Sequence, residues 1–183
     1  MRDFVAVEFV SVDGVVEAPE KWTTPYIDEE VGQAMQAGMG ASDGMLLGRR
    51  TYEEFAAYWP DMTSEDDPYA DYINATQKFV VSTTLRSVEW RNSTLITGDV
   101  AEKLTELKQQ PGKGLTIIGS PTLMRSLLRE GLLDRLDLLL FPLVVGSGKR
   151  LFDEGIGELP LSLVDSRAFK GGVVSLAYAP ARS

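Results

Sequence analysis

The sequence predicts an α/β domain: a largely parallel sheet with helices on both faces, closed at one side by antiparallel strands. Two observations carry this. Short apolar, β-branched runs alternate with helix-period segments from residue 3 to about residue 130, and strands separated by helices pair in parallel. The chain then closes on "LSLVDSRAFKGGVVSLAY", two strand-like runs around Lys170-Gly171-Gly172, which read as an antiparallel hairpin. A length of 183 residues suits one domain, taken as 1–183, and no repeat, low-complexity stretch or linker divides it.

The elements follow in order. Residues 3–12 read as a strand, 27–39 as a helix, 43–48 as a strand and 50–58 as a helix. "PDMTSEDDPYADY" has five acids and no base, and reads as a solvated loop running into a short helix through 74. "KFVVST" (78–83) and "TLIT" (94–97) are short strands. In "DVAEKLTELKQQPGKG", Asp99 is the expected N-cap, with Gly112 near the helix end. "LTIIG" is a strand. "SPTLMRSLLREG" is a helix that Ser120 caps, with Pro121 in its first turn and Gly131 in the left-handed terminating position. Leu123, Met124, Leu127 and Leu128 form its apolar face. "LDRLDLLLFPLVVG" is expected as one long strand ending in a glycine loop, buried on both faces or set at a dimer contact.

Composition excludes much chemistry. There is no cysteine and no histidine, so neither a Cys/His zinc site nor a histidine-based nucleophile system can form. No spaced carboxylate motif suggests a metal. The remaining catalytic groups are Asp, Glu, Lys, Arg, Tyr, Ser and Thr, or a cofactor with its own reactivity. A net charge of -9 argues against nucleic acid or an anionic membrane as partner. There is no run of 18 apolar residues, and a cytoplasmic location is the default for a cysteine-free chain.

In an open α/β sheet, ligands bind beyond the carboxyl ends of the parallel strands, so the strand-to-helix junctions are the places to search. In "MLLGRRTYEEF", Gly48 ends a strand, and Arg49, Arg50 and Thr51 begin a helix. Free N–H groups at a helix start attract anions, and arginine suits phosphate; a capped helix with solvated arginines is the plainer alternative. In "IIGSPT", Gly119 precedes Ser120, Pro121 and Thr122, where a ligand could approach the backbone closely or a tight turn simply precede a helix. "VVSTT" ends a strand on Ser82, Thr83 and Thr84. Three such junctions in one small domain point to an extended, multiply phosphorylated ligand such as a dinucleotide. The G-x-G-x-x-G fingerprint is absent after the first strand.

The series "SVDGVVEAPEKW", "LLGRRTYEEF", "KFVVSTTL" and "IIGSPTLMRSLLREGLLDRLDLLLFPLVVGSGKRLF" resembles the dihydrofolate-reductase-like family over residues 3 to 179. Within it, the chain is most similar to the C-terminal reductase domain of the bifunctional riboflavin biosynthesis deaminase-reductase. The resemblance implies a three-layer α/β/α dihydrofolate-reductase-like fold, NADPH as cofactor and hydride transfer to a pyrimidine or pteridine ring. It implies that Gly48, Arg49, Arg50 and Thr51 hold NADPH phosphates, and that Ser82 and Thr83 lie near the adenosine 2′-phosphate. It further implies that Gly119, Ser120, Pro121 and Thr122 cradle the pyrophosphate, and that Ser11, Val12, Asp13 and Gly14 lie beside the nicotinamide. A homodimer is the expected assembly. Gly119-Ser120 stands where dihydrofolate reductases carry Gly-Gly, which leaves the substrate open. A deaminase needs His and Cys and is excluded.

Reduction of a C=N or C=O bond also needs a proton. In "KWTTPYIDEEV", Trp22, Pro25 and Asp28 resemble the Trp, Pro and acid of dihydrofolate reductases. Asp28 is therefore the candidate acid, with a first-turn helix acid as its plainer role. Trp22 stacks on substrate or covers the core. "GSGKRLF" offers Gly146, Gly148 and Lys149 to a substrate phosphate or an interface. Glu8 interrupts an apolar strand and faces either a pocket or an edge. The leading expectation is an NADPH-dependent reductase of a small heterocycle, of the 5-amino-6-(5-phosphoribosylamino)uracil reductase type. The alternatives are a non-catalytic NADP(H)-binding protein and a true dihydrofolate reductase.

Overall fold

The computed structural model describes residues 1–154 and 156–181. Eight strands form one sheet: β1 (Phe4–Ser11), β2 (Ser42–Gly48), β3 (Gln77–Val81), β4 (Ser93–Ile96), β5 (Gly114–Ile118), β6 (Arg135–Phe141), β7 (Leu161–Ala168) and β8 (Val174–Pro180). Their spatial order is β4-β3-β2-β5-β1-β6-β8-β7. The first six run parallel, and β8 runs antiparallel to both β6 and β7. The closing hairpin thus sits at one side of a parallel sheet, as its sequence predicts.

Among the described residues, five α-helices lie between the strands: α1 (Glu29–Met39), α2 (Arg49–Tyr58), α3 (Ala70–Ala75), α4 (Val100–Gln109) and α5 (Pro121–Arg129). Alternation along a strand sends successive side chains to opposite faces, and both faces are covered. Leu46 packs with Phe4, Ala6, Leu104, Leu107, Leu123, Met124 and Leu127, beneath α4 and α5. Its neighbours Met45 and Leu47 point the other way, against Tyr52 of α2 and Ile73 of α3. On that second face Val31 of α1 covers Leu139 and Phe141 of β6. The three layers follow directly. α5 buries all four residues of its predicted stripe, and Gly131 takes φ +66, the left-handed conformation that ends the helix.

Three expectations need correction. The strand after α5 stops at Phe141 instead of running to Gly146. Pro142 has no N–H for the ladder, and the chain beyond is held by residues 11–16: the Val12 N–H donates to the Leu143 carbonyl. Val144 in this segment is 70% exposed, so the apolar run is not buried throughout. The first helix starts at Glu29, because Asp28 is its N-cap and accepts from the Val31 N–H at 2.9 Å. Ser120 occupies the N-cap position of α5 but makes no side-chain cap bond; its hydroxyl is engaged by a neighbouring element.

Candidate active site

The register places the carboxyl ends of β3, β2 and β5 side by side, with β1 running four residues beyond the last residue of β5. Gly48 pairs with Val81, Leu46 with Ile117, and Ile118 with Val7. The three predicted junctions therefore meet along one edge of the sheet. Gly48 and Gly119 are joined by hydrogen bonds as well as by register. The Gly48 N–H donates to Ser120 Oγ at 3.1 Å. Thr51 Oγ1 donates to the Gly119 carbonyl at 2.8 Å and lies 2.8 Å from Ser120 Oγ. Thr51 and Ser120 are both buried. Gly119 turns the chain at φ +58, a conformation glycine adopts without a Cβ penalty.

This latch clamps the starts of α2 and α5 together. The first-turn N–H groups of a helix have no intrahelical partner. In α1 and α4 an aspartate caps them, Asp28 and Asp99 respectively. Neither α2 nor α5 has such a cap. Two uncapped helix starts, side by side, concentrate partial positive charge at one spot, and an anion suits it. Arg49 and Arg50 stand at the same place. Arg49 is paired with Glu53 at 3.0 Å, one turn on, whereas Arg50 is exposed. Pro121 begins α5 and Thr122 is exposed beside it. At the end of β3, Ser82 is buried and its Oγ accepts from the N–H groups of Thr84 and Leu85, at 3.1 and 3.0 Å. Thr83 is exposed.

A second block forms beyond β1 and β6. Asp13 is its knot. Its carboxylate accepts from Ser11 Oγ at 2.6 Å, from the Val145 N–H at 3.1 Å and from the Gly146 N–H at 2.9 Å. These bonds favour the charged form and pull its pKa down to about 2. The Arg150 guanidinium donates to the Asp13 carbonyl, and the Leu151 N–H to that of Gly14. Lys149 lies 3.8 Å from Glu17. The loop of Gly146, Gly148 and Lys149 is thus tied to the segment Ser11–Gly14, with Val12 left 61% exposed. Trp22 stands edge-on to Phe141, 5.7 Å between centroids, and its indole N–H donates to the Glu17 carbonyl. Ser11 is the register partner of Phe141, so Trp22 adjoins this block.

Asp28 stands at the start of α1, where it lines an open groove of about 380 Å³ with Glu29, Glu30, Gln33 and Lys170. A larger groove, about 740 Å³, runs along α2 past Tyr52, Ala56, Pro60 and Trp90. Neither groove is lined by Gly48, Thr51, Gly119 or Ser120.

Two neighbours of the site carry little or no signal in the sequence. Arg125 reads as one more helix cation, although its i, i+3 relation to Leu128 sets it along the buried stripe. It donates to the carbonyls of Arg150 and Leu151, at 3.2 and 2.8 Å, and pairs with Asp153 at 3.0 Å. Glu8 stands out as an acid in an apolar strand, but only the structure shows where it points. It is 2% exposed, and burial pushes its carboxyl up to about 8, against the opposing pull of the Arg125 guanidinium and the Ser120 N–H.

The layered sheet with its strand order and closing hairpin is the dihydrofolate-reductase-like arrangement. A dihydrofolate reductase from Enterococcus faecalis, complexed with NADP(H), superposes with a TM-score of 0.65, covering 98% of this chain and 97% of that one at 11% identity. The chain belongs to the RibD C-terminal domain family, which matches residues 4–175. A putative riboflavin biosynthesis protein from Shewanella sp. PV-4 superposes with a TM-score of 0.80 at 21% identity, covering 98% of this chain and 99% of that one. Two Bacillus subtilis (strain 168) proteins described as uncharacterized are similar in sequence. YyaP is 28% identical, with 92% of this chain and 90% of YyaP covered. YwjB is 29% identical, with 92% of each covered.

Proposed function

We propose that this protein is an NADPH-dependent reductase of a small heterocycle of pyrimidine or pteridine type. One observation carries the reading: the uncapped starts of α2 and α5, latched by Thr51 and Ser120 at the carboxyl edge of a parallel sheet. Family membership and the superposition on a reductase complexed with NADP(H) support it. The donors fit a dinucleotide: N–H groups of Arg49, Arg50, Thr51, Thr122 and Leu123 for the phosphates, with the exposed Arg50 guanidinium beside them. Thr83 is the freer of the two β3-end hydroxyls for a 2′-phosphate, because Ser82 is engaged in its own turn. Ser11–Gly14 would meet the nicotinamide through backbone and the exposed Val12, since the Asp13 carboxylate already holds the 145–146 loop.

Bound there, NADPH would supply the hydride. The residues of this chain orient the ring against the 11–14 segment, offer Trp22 as a wall for the substrate, and deliver a proton from Asp28 directly or through water. Stopped-flow NADPH oxidation against a panel of pterins and aminopyrimidines tests the reading. Oxidation with at least one member supports it. Binding of NADPH with no oxidation across the panel favours the non-catalytic alternative, and oxidation confined to dihydrofolate favours a dihydrofolate reductase. The assembly proposed is a homodimer through the outer edge of β7, where Leu163 and Val164 are 56% and 57% exposed; light scattering of the purified chain checks it.

A further inference from the structure

Glu8 is a carboxyl without a conventional structural task. It alternates along β1 with Ala6 and Val10, which belong to the same core cluster as Leu123 and Met124 of α5, so its side chain enters the layer beneath α5. Val7 pairs with Ile118, which sets Glu8 level with the next residue, Gly119. It therefore lies under the Gly119–Ser120 turn, at the start of a nine-residue helix that has no side-chain cap. Oε1 of Glu8 is buried without a hydrogen-bond partner among the described residues. An isolated buried carboxylate is costly, whereas the neutral acid is tolerated.

Among the described residues, the charged groups around it are few. From α5 comes Arg125, itself committed to Asp153 and to the carbonyls of Arg150 and Leu151. From the turn comes the Ser120 N–H. On β6 its register partner is Leu138, which brings no charge. Glu8 and any anion seated on the turn thus share one helix start, one from below and one from above.

We propose that Glu8 is a positioning acid whose proton is a condition for anion binding at the start of α5: ionised, it competes for the helix start and repels the anion, and neutral, it leaves the helix start to the ligand. The inference rests on the cofactor reading given above. Like charges in a poorly solvated site disfavour each other, so ligand binding and proton binding at Glu8 are reciprocally coupled. With the carboxyl titrating near 8, the ligand should lose affinity as pH rises from 7 to 9. The limiting slope is about tenfold per pH unit. The phosphates titrate little between pH 7 and 9, because a phosphate monoester has its second pKa at about 6 and is mostly doubly ionised above pH 7.

The test is NADPH binding to the full chain, followed by NADPH fluorescence at pH 6.5, 7, 8 and 9. Wild type and Glu8→Gln are compared, with Glu8→Leu as a second variant that suits the apolar layer if the amide impairs folding. Calorimetry of the wild type in two buffers of different ionisation enthalpy counts the protons taken up. The expected result is a rise in wild-type Kd of about tenfold between pH 7 and 9, with proton uptake at pH 8.5, and a change under twofold in the variant. Equal pH dependence in wild type and variant, or no proton uptake, overturns the role of Glu8 while leaving the cofactor site intact. No saturable binding by either protein at pH 6.5 overturns the cofactor reading, and this inference with it.

Discussion

Glu8 puts a carboxyl in a strand position where every same-face neighbour is apolar, and its ionisation should be visible in stability without any ligand. Its pKa rises from an ordinary 4.5 to about 8 on folding. Between those values the folded state holds a proton that the unfolded chain releases. The stability associated with that proton is fully present below pH 4.5, falls as pH rises, and levels off above pH 8. Each tenfold change in proton affinity corresponds to about 1.4 kcal/mol, so the loss across the window is on the order of a few kcal/mol. Urea denaturation of wild type and Glu8→Gln at several pH values checks it: the wild-type advantage should shrink from pH 5 to pH 8, and a constant difference would mean that Glu8 titrates as an exposed acid. At Asp28 the structure separates two roles. Its carboxylate caps α1 through the Val31 N–H, and asparagine caps nearly as well as aspartate. Asp28→Asn should therefore keep the melting temperature and slow turnover by about 10²–10⁴-fold if the acid delivers the proton. Asp28→Ala should also lose about 1 kcal/mol of stability. Normal turnover by Asp28→Asn would leave the carboxylate as a cap alone.

The latch between α2 and α5 is where local sequence and long-range packing meet. Ser120 Oγ serves the Gly48 N–H and Thr51 Oγ1 at once. Removing it leaves a backbone donor without its partner, at a cost of about 1–3 kcal/mol. Ser120→Ala should lower stability by that amount, and should weaken NADPH more than it weakens the fold, because the two helix starts are no longer held together. Thermal melts with and without NADPH check this: an unchanged ligand-induced shift would show that the latch is structural only. The elements themselves are largely readable from the sequence. Asp99, Pro121 and Gly131 punctuate their helices as their chemistry requires, and short β-branched runs mark the strands. The misreadings share a cause. Pro142 sits inside an apolar run whose composition continues past it, but only the missing N–H decides where β6 ends. Ser120 reads locally as a cap, and only the arrival of Gly48 and Thr51, some 70 residues earlier in the chain, redirects its hydroxyl. The role of Arg125 and the direction Glu8 faces are illegible for the same reason, since their surroundings come from distant segments.

For the whole molecule, the fold of an acidic chain brings two uncapped helix starts together at one edge of its sheet. The net charge is -9, yet the uncapped starts of α2 and α5 face the same place, with Arg50 exposed beside them. The Asp13 knot holds the neighbouring loop against the end of β1. Among the described residues, no helix is long and apolar enough to cross a membrane. The central claim is that this edge of the sheet binds NADPH, and a fluorescence titration of NADPH and NADH against wild type and Arg50→Ala tests it most directly. An arginine–phosphate contact is a charge-assisted bond worth about 1.5–3 kcal/mol, or roughly 10- to 150-fold in affinity. The account predicts saturable NADPH binding by the wild type, weakened by that factor in Arg50→Ala. NADH should be affected much less if Arg50 reads the 2′-phosphate, and equally if it reads the pyrophosphate. Absence of saturable NADPH binding at neutral pH would contradict the account.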